Sequence, residues 1–337
     1  MEPRRLGTLT VSPIGMGCMG FSHGYGAIPE HDYSVAAIRA AFDAGCTFFD
    51  TAEAYGPNML PENRGHNERL VGEALADVRE RAVIATKLHL KPEEVAESGT
   101  YGAIRAHLEA SLERLHTDYA DLYYLHRVNR EIPVEDVAAA MGRLIDEGLI
   151  KGWGLSQVGR DTIERAHAAT PLSAVQNIYS MIERGVEADV LPYCLEQGIG
   201  VVPFSPIASG LLSGKVNAST DFSQADDVRK FVPQLSAENI NDNQPIVDLV
   251  ARVAAEKNAT PAQISLAWML HKWPNVVPIP GSKRCERVLE NLGAWNVSLS
   301  DAELAALEKA LDALPVYGQR GYIEFDGDGM AAWGKNS

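Results

Sequence analysis

Three short apolar runs in the 337-residue chain end on a reactive side chain. "TFFD" ends at Asp50, "VIATK" at Lys87 and "LYYLH" at His126; Tyr55 follows Asp50 in "FFDTAEAYG". A carboxylate, an ammonium, an imidazole and a phenol are the parts of a general acid. A free phenol, with a pKa of about 10, is a poor acid near neutrality. A nearby ammonium favours the phenolate and lowers that pKa. Lys87 is therefore expected to activate Tyr55, Asp50 to hold Lys87 charged and oriented, and His126 to hydrogen-bond a substrate oxygen. Such a set aims an acid at a carbonyl that is gaining negative charge. Each residue also has a bland reading: a turn cap for Asp50, a lysine reaching solvent, a rim histidine, a packed aromatic. Four of them at adjacent run ends argue for a site. Gly56 reads as the residue that permits the turn behind Tyr55. The nine histidines are scattered, without HExxH or paired spacing, so no metal site is expected.

Proton donation to a carbonyl needs a reductant beside it. Ser156–Gln157, Gln176 and Tyr179 offer a hydroxyl, amides and a flat ring, which suit a nicotinamide carboxamide and its stacked face. Further on, "PIPGSKRCERVLEN" runs from a Gly turn into a helix start with Lys283, Arg284 and Arg287. That is an anion site by geometry and charge, or else a solvated basic helix start.

These residues need elements to position them. Short apolar, β-rich runs alternate with longer amphipathic stretches along the chain: "SPIGMGCMGF" then "YSVAAIRAAFDAG", "TFFD" then "NERLVGEALADV", "RAVIATK" then "TYGAIRAHLEASLERL", and so on to "NVVPIPG" and "KRCERVLENLG". Eight βα units in series predict a closed (β/α)8 TIM barrel, whose chemistry sits at the C-terminal ends of the strands. An open doubly wound sheet is the alternative. "GMGCMG" has the spelling of a dinucleotide loop, but "FSHGYGAIPEHD" separates it from the next helix. The polar stretches "PNMLPENRGH" and "LHLKPEEVAESG" read as loops after the second and third strands, and the longest interruption, roughly Ala208 to Asn243, follows the seventh. Residues 1–337 read as a single barrel domain, with a Gly- and aromatic-rich tail after Leu314 over its mouth.

A formal net charge of −15 argues against nucleic acid or an anionic membrane as partner. No apolar run approaches the ~20 residues of a membrane span, and no signal-peptide core is visible. Cys18, Cys46, Cys194 and Cys285 lie far apart, without CxxC, and read as free thiols in a reducing cytoplasm.

The motifs "FFDTAEAYG", "NERLVGEAL", "VIATK", "SLERLHTDYADLYYLHR", "GLSQ", "VQNIYS", "PFSPIASGLLSGK" and "PIPGSKRCERVLEN" together resemble an aldo-keto reductase, in family order from about Arg4 to Leu311. The pattern is most similar to the microbial and plant branch that includes perakine-reductase-like enzymes and pyridoxal reductases. The resemblance implies a barrel closed at its bottom by an N-terminal hairpin, about Arg4 to Val11. It implies NADPH, hydride transfer to a carbonyl carbon, and the tetrad Asp50, Tyr55, Lys87 and His126 with Tyr55 as proton donor. It assigns Ser156, Gln157 and Gln176 to the carboxamide and Tyr179 to the stacking ring. It also assigns Ser205, Leu211 and Gly214 to the pyrophosphate loop, and Ser282, Lys283, Arg287, Glu290 and Asn291 to the adenosine phosphate and adenine. Two positions depart from the pattern: Gln157 stands where Asn is frequent, and Gly281 where many members have Lys.

Two other functions fit parts of the pattern. Lys87 could be the Schiff-base nucleophile of a lyase or aldolase, which leaves the basic turn after the eighth run unexplained. A non-catalytic NADPH-binding regulator is the other, although no long N-terminal extension offers a partner arm. The partner expected is a small-molecule carbonyl compound, with monomer and homo-oligomer both open. Its pocket is expected from the loops after Gly56, Lys87 and Pro206, plus Tyr317, Tyr322, Phe325 and Trp333 of the tail.

Overall fold

The computed structural model describes residues 2–321 and, beyond them, the backbone of Glu324–Phe325 paired antiparallel with Ala331–Ala332. Tyr322, Trp333 and the side chain of Phe325 lie outside the described residues.

Strands β1 (Arg4–Leu6) and β2 (Leu9–Val11) form an antiparallel hairpin. A parallel seven-stranded sheet then runs in sequence order: β3 (Met16–Gly17), β4 (Phe48–Asp50), β5 (Val83–Leu88), β6 (Leu122–Leu125), β7 (Trp153–Ser156), β8 (Ala174–Gln176) and β9 (Gly200–Val201). The eighth strand expected from "NVVPIPG" is present as an extended segment between the two sheet edges. On one side the N–H groups of Val277 and Ile279 donate to Val201 and Pro203, each within 3.1 Å. On the other, the carbonyls of Pro278 and Pro280 accept from Gly15 at 2.9 Å and Gly17 at 3.4 Å. Proline has no N–H, so this segment cannot carry a full ladder. Its prolines alternate so that every donor needed for closure falls on Val277 and Ile279. The result is a closed (β/α)8 barrel, not an open doubly wound sheet.

The helices lie outside: α1 (His31–Asp43), α2 (His66–Leu75), α3 (Pro92–Leu115), α4 (Val134–Asp146), α5 (Arg160–Ala169), α6 (Val190–Glu196), α7 (Ala237–Asp242), α8 (Gln244–Glu256), α9 (Pro261–Lys272), α10 (Cys285–Leu292) and α11 (Asp301–Asp312). The stretch expected to be a loop after the third strand is helical from Pro92, with Gly99 breaking α3 at a φ of 73°. No helix among the described residues is long and apolar enough to cross a membrane. The four cysteines are unpaired, and only Cys285 is not fully buried.

The barrel floor explains where the site must be. Phe48, Ala85, Leu122, Tyr124, Ala174, Val202 and Val277 pack inside the barrel against Leu6, Leu9 and Val11 of the hairpin. Arg4 fixes the hairpin by donating to the carbonyls of Trp273, Val276 and Leu270, and burial pulls its guanidinium down to about 10. Side chains alternate along a strand, so the residue two past an inward-facing one also faces inward. Phe48 thus predicts Asp50, Ala85 predicts Lys87, Tyr124 predicts His126, and Ala174 predicts Gln176. These form the next layer up, at the mouth.

Candidate active site

Lys87 is fully buried, and its three N–H donors have three acceptors: Asp50 Oδ1 at 2.5 Å, the Thr51 carbonyl at 2.6 Å and Tyr55 Oη at 3.2 Å. The other Asp50 oxygen accepts from Gln176 Nε2 at 2.7 Å. Burial works against the Lys87 charge, but Asp50 and Tyr55 outweigh it and hold the ammonium above the usual lysine range. Burial pushes the Asp50 carboxyl up, against Lys87 and Gln176. A saturated ammonium with no lone pair is unsuited to Schiff-base attack.

Tyr55 departs from expectation. Its pKa is raised, because burial outweighs the pull of Lys87. The phenol therefore stays protonated through the neutral range, a loaded donor rather than a partly ionised one. Gly56 departs too. Its backbone is extended, at φ −158° and ψ 162°, so no special turn is involved. Glycine is required because a Cβ there would meet the Asn63 carbonyl oxygen at 2.0 Å. The segment after Tyr55 packs directly on that backbone.

His126 stands edge-on to the Tyr55 ring, with centroids 5.7 Å apart. Burial and then Arg127, His89, Lys87 and His23 push its pKa well below 6.5, so the ring is neutral. Its Nδ1 is buried with no partner among the described residues, so the proton is best placed on Nε2, the nitrogen left to serve the cleft. His89 packs on it at 4.3 Å and is itself drawn down to about 4, by burial first and then by Arg127.

The loop carrying Tyr55 is tied down by Glu53, which is 1% exposed. Glu53 accepts from the His89 N–H at 3.0 Å and pairs with His107 Nδ1 at 2.7 Å, while His107 Nε2 reaches Glu94 at 3.2 Å. Burial opposes the Glu53 charge, but His107 and the His89 N–H bring its pKa down. His107 is raised, chiefly by its hydrogen bond to Glu53.

Asp50, Tyr55 and His126 open onto a cleft of about 1000 Å³ that Ser156, Gln157, Gln176, Ser205, Ser282, Lys283, Arg287, Glu290 and Asn291 also line. The structure therefore brings most of the residues expected at a site into one cavity. Ser156 Oγ accepts from Arg127 at 3.0 Å. Gln157 has a left-handed backbone, φ 55°, and its side-chain oxygen accepts from the Ile178 N–H at 3.0 Å. Lys283 Nζ donates to the carbonyls of Tyr25 at 2.8 Å and Ala27 at 2.6 Å. It thereby ties the loop after β3 to the basic turn. That loop also meets the long loop after β9: the Val228 N–H donates to Gly24 and the Gly26 N–H to Asp226, both at 3.0 Å. Neither tie had a signal in the sequence.

Three expected residues stand elsewhere. Tyr179 does not face the cleft: it is fully buried against Trp268, its hydroxyl donates to Glu187 at 2.6 Å, and Trp273 donates to it at 3.1 Å. It lies three residues past Gln176, the wrong parity for an inward position. Phe204, two residues past inward-facing Val202, does line the cleft, as do Tyr25 and Phe231. The Leu211 side chain belongs to the core between barrel and helices, and Gly214 lies behind the lining residues Ser213 and Lys215. Neither Leu211 nor Gly214 lines the cleft.

The loop holding these residues carries a strained run. Ser205, Ala208, Ser209 and Gly210 have φ of 54°, 48°, 54° and 102°. Within the run the Ala208 and Gly210 N–H groups donate to the Ser205 and Ile207 carbonyls, both at 2.9 Å, which holds the loop in this shape. The Ser209 hydroxyl is buried there without a partner among the described residues. The cleft thus joins a loaded acid, a neutral imidazole, amides with a flat ring, a strained loop with an orphan hydroxyl, and a basic helix start.

A sequence model described as the Aldo/keto reductase family matches residues 13–312. The chain is similar to probable aldo-keto reductase 1 of Glycine max, at 38% identity over 97% of this chain and 93% of that protein. In structure it is similar to the glycerol dehydrogenase of Gluconobacter oxydans, with a TM-score of 0.80 at 26% identity over 92% of this chain and 94% of the other. It is also similar to an aldo-keto reductase of Klebsiella pneumoniae crystallised with NADPH, with a TM-score of 0.70 at 29% identity over 95% and 98% of the two chains.

Proposed function

The chain belongs to the aldo/keto reductase family, and on that premise we propose that it is an NADPH-dependent reductase of an aldehyde or ketone in which Tyr55 is the proton donor. One observation carries the reading: Tyr55 lines the cleft while Lys87 Nζ, itself engaged by Asp50 and Thr51, stands 3.2 Å from its hydroxyl. NADPH, when bound, supplies the hydride for the carbonyl carbon. The residues present fit it. Ser156, Gln157 and Gln176 line the cleft with a hydroxyl and amides suited to a carboxamide, Phe204 offers a ring for stacking, the Ser209 hydroxyl has no partner among the described residues, and Lys283, Arg284 and Arg287 line the same cleft.

His126, neutral and protonated on Nε2, hydrogen-bonds the carbonyl oxygen and orients it towards Tyr55. As the carbon accepts hydride, that oxygen becomes a far stronger base than a phenolate. It takes the Tyr55 hydroxyl proton, and the negative charge left on Tyr55 falls on Lys87, held in place by Asp50. The alcohol leaves and Tyr55 is reprotonated from water. Ser282, Lys283 and Arg287 receive the 2′-phosphate, and Glu290 and Asn291 the adenine. The absent Lys at Gly281 leaves the phosphate to Lys283, Arg284 and Arg287. The unpaired thiols support a reducing, cytoplasmic setting. The test is NADPH oxidation across aldehydes, ketones and diketones, with the alcohol quantified. Equimolar alcohol and NADP+ support the proposal; NADPH binding without turnover of any carbonyl would leave a cofactor-binding protein instead.

A further inference from the structure

The chain that leaves α11 does not wander over the surface. Asn243, 1% exposed, grips Tyr317 at both ends of its peptide unit: its Oδ1 accepts from the Tyr317 N–H at 3.0 Å, and its Nδ2 donates to the Tyr317 carbonyl at 2.8 Å. The next residue, Gly318, has φ +70°, and a Cβ there would stand 2.6 Å from Asn239 Nδ2 and 2.9 Å from the Gln234 backbone nitrogen. The Gln319 carbonyl accepts from the Gln234 N–H at 3.2 Å. The Arg320 N–H donates to Glu183 at 2.8 Å. Tyr317, Gln319 and Arg320 are thus each fixed by hydrogen bonds, Gly318 between them leaves no room for a side chain, and Arg320 delivers a guanidinium into the cleft. Arg320 lines the cavity, and its Nε donates to Ser205 Oγ at 3.0 Å.

The charge around that spot makes the arginine conspicuous. Arg229 pairs with Asp227 at 2.6 Å, Lys283 is engaged by two carbonyls, and Lys215 faces Glu290 at 3.9 Å. Arg320 is attracted by Glu183, which also accepts its backbone N–H, while its side-chain partner in the cleft, Ser205, is a neutral hydroxyl at the start of the left-handed run that holds Ser209, whose hydroxyl has no partner among the described residues. Arg320, Ser205 and Ser209 line the same cleft, and a guanidinium beside two hydroxyls suits a doubly charged oxyanion. A planar fork suits phosphate oxygens better than a single hydroxyl.

Resting on the reading of this cleft as the NADPH site, we propose that Arg320 is a ligand for the cofactor's diphosphate, carried on an arm of residues 317–320, so that cofactor binding and docking of the arm strengthen each other. The coupling is reciprocal: whatever the docked arm adds to cofactor affinity, the cofactor adds to the docking of the arm.

The test uses the full chain with NADP+ alone. In Arg320→Ala the Kd for NADP+, read by tryptophan fluorescence or calorimetry, should rise roughly 10- to 100-fold, the size of one lost charge-assisted contact. Arg320→Lys should recover part of it. NADP+ should slow hydrogen exchange at residues 318–320 in the wild type and much less in Arg320→Ala. Asn243→Ala, which loosens the arm and leaves the guanidinium intact, should weaken NADP+ in the same direction by a smaller factor. An unchanged Kd in Arg320→Ala, with NADP+ binding normal in the wild type, overturns the proposal. So does an unchanged Kd with a KM raised only for acidic aldehydes, which would make Arg320 a substrate ligand. Failure of the wild type to bind NADP+ at all would instead overturn the reading of the cleft.

Discussion

The two ends of the cleft are built differently. At the barrel mouth Asp50, Lys87, Ser156 and Gln176 are strand residues and His126 follows its strand at once, so the sheet itself fixes their spacing. Lys87 is fully buried and Asp50 is 3% exposed. At the far end Ser282, Lys283 and Arg287 stand on a turn and a short helix; Lys283 ties that turn to the loop after β3, which in turn meets the loop after β9. A barrel mouth holds geometry to fractions of an ångström and suits proton transfer. Loops that must part to admit a dinucleotide suit binding. The difference teaches that damage at the first end should fall on turnover and damage at the second on cofactor affinity.

The largest effect expected is that of Lys87→Met. It strips Tyr55 of its countercharge and leaves Asp50 buried without its ionic partner. Turnover should fall about 10²–10⁴-fold, and stability by about 3–5 kcal/mol, as when one member of a buried pair is removed. The Kd for NADP+, measured at a temperature where the variant is folded, should hardly move. A shift in Kd as large as the shift in kcat would break the contrast between the two ends.

Next in size, Lys283→Ala/Arg287→Ala should raise the Kd for NADPH roughly 10- to 100-fold and that for NADH far less, since only NADPH brings the 2′-phosphate that these charges are proposed to meet. Saturated kcat should be nearly unchanged. Comparing kcat/KM for the two cofactors reads this directly, and equal losses for both would remove the phosphate from the account.

The smallest effect concerns the anchor of the Tyr55 loop. His107 is raised in the folded protein, so its contribution is complete below about pH 6.5 and is lost as pH rises through the raised value. Glu53 is lowered, so its contribution is present above its ordinary value of about 4.3 and is lost as pH falls through the lowered one. The pair therefore stabilises between those limits. The Tm difference between wild type and His107→Gln should be largest near pH ~5–6.5 and shrink above it. A difference that grew towards pH 9 would contradict the sign.

The same contrast explains what could be read from the sequence. The placement of Asp50, Lys87 and His126 at one barrel mouth was legible because a buried strand of period two must end somewhere, and a polar residue at its end has only the barrel mouth to face. Phe204 obeyed the same rule from Val202, whereas Tyr179 was a flat ring at the wrong parity. The basic turn was visible as composition, but Lys283 gripping the carbonyls of Tyr25 and Ala27, or Asn243 gripping Tyr317, joins residues far apart in the chain, and no local pattern announces it. Burial was the other hidden quantity: the Lys87–Tyr55 pairing was foreseen, but not that desolvation would outweigh it and leave Tyr55 raised.

The central claim, that Tyr55 gives its proton to the substrate oxygen, is tested most directly by Tyr55→Phe, which removes one oxygen atom from a site otherwise held by the sheet. Single-turnover oxidation of bound NADPH by an aldehyde that the wild type reduces should slow about 10²–10⁴-fold in the variant, while the Kd for NADP+ and the Tm stay close to wild type. A variant that binds NADP+ normally and still reduces the aldehyde at near the wild-type rate would contradict it.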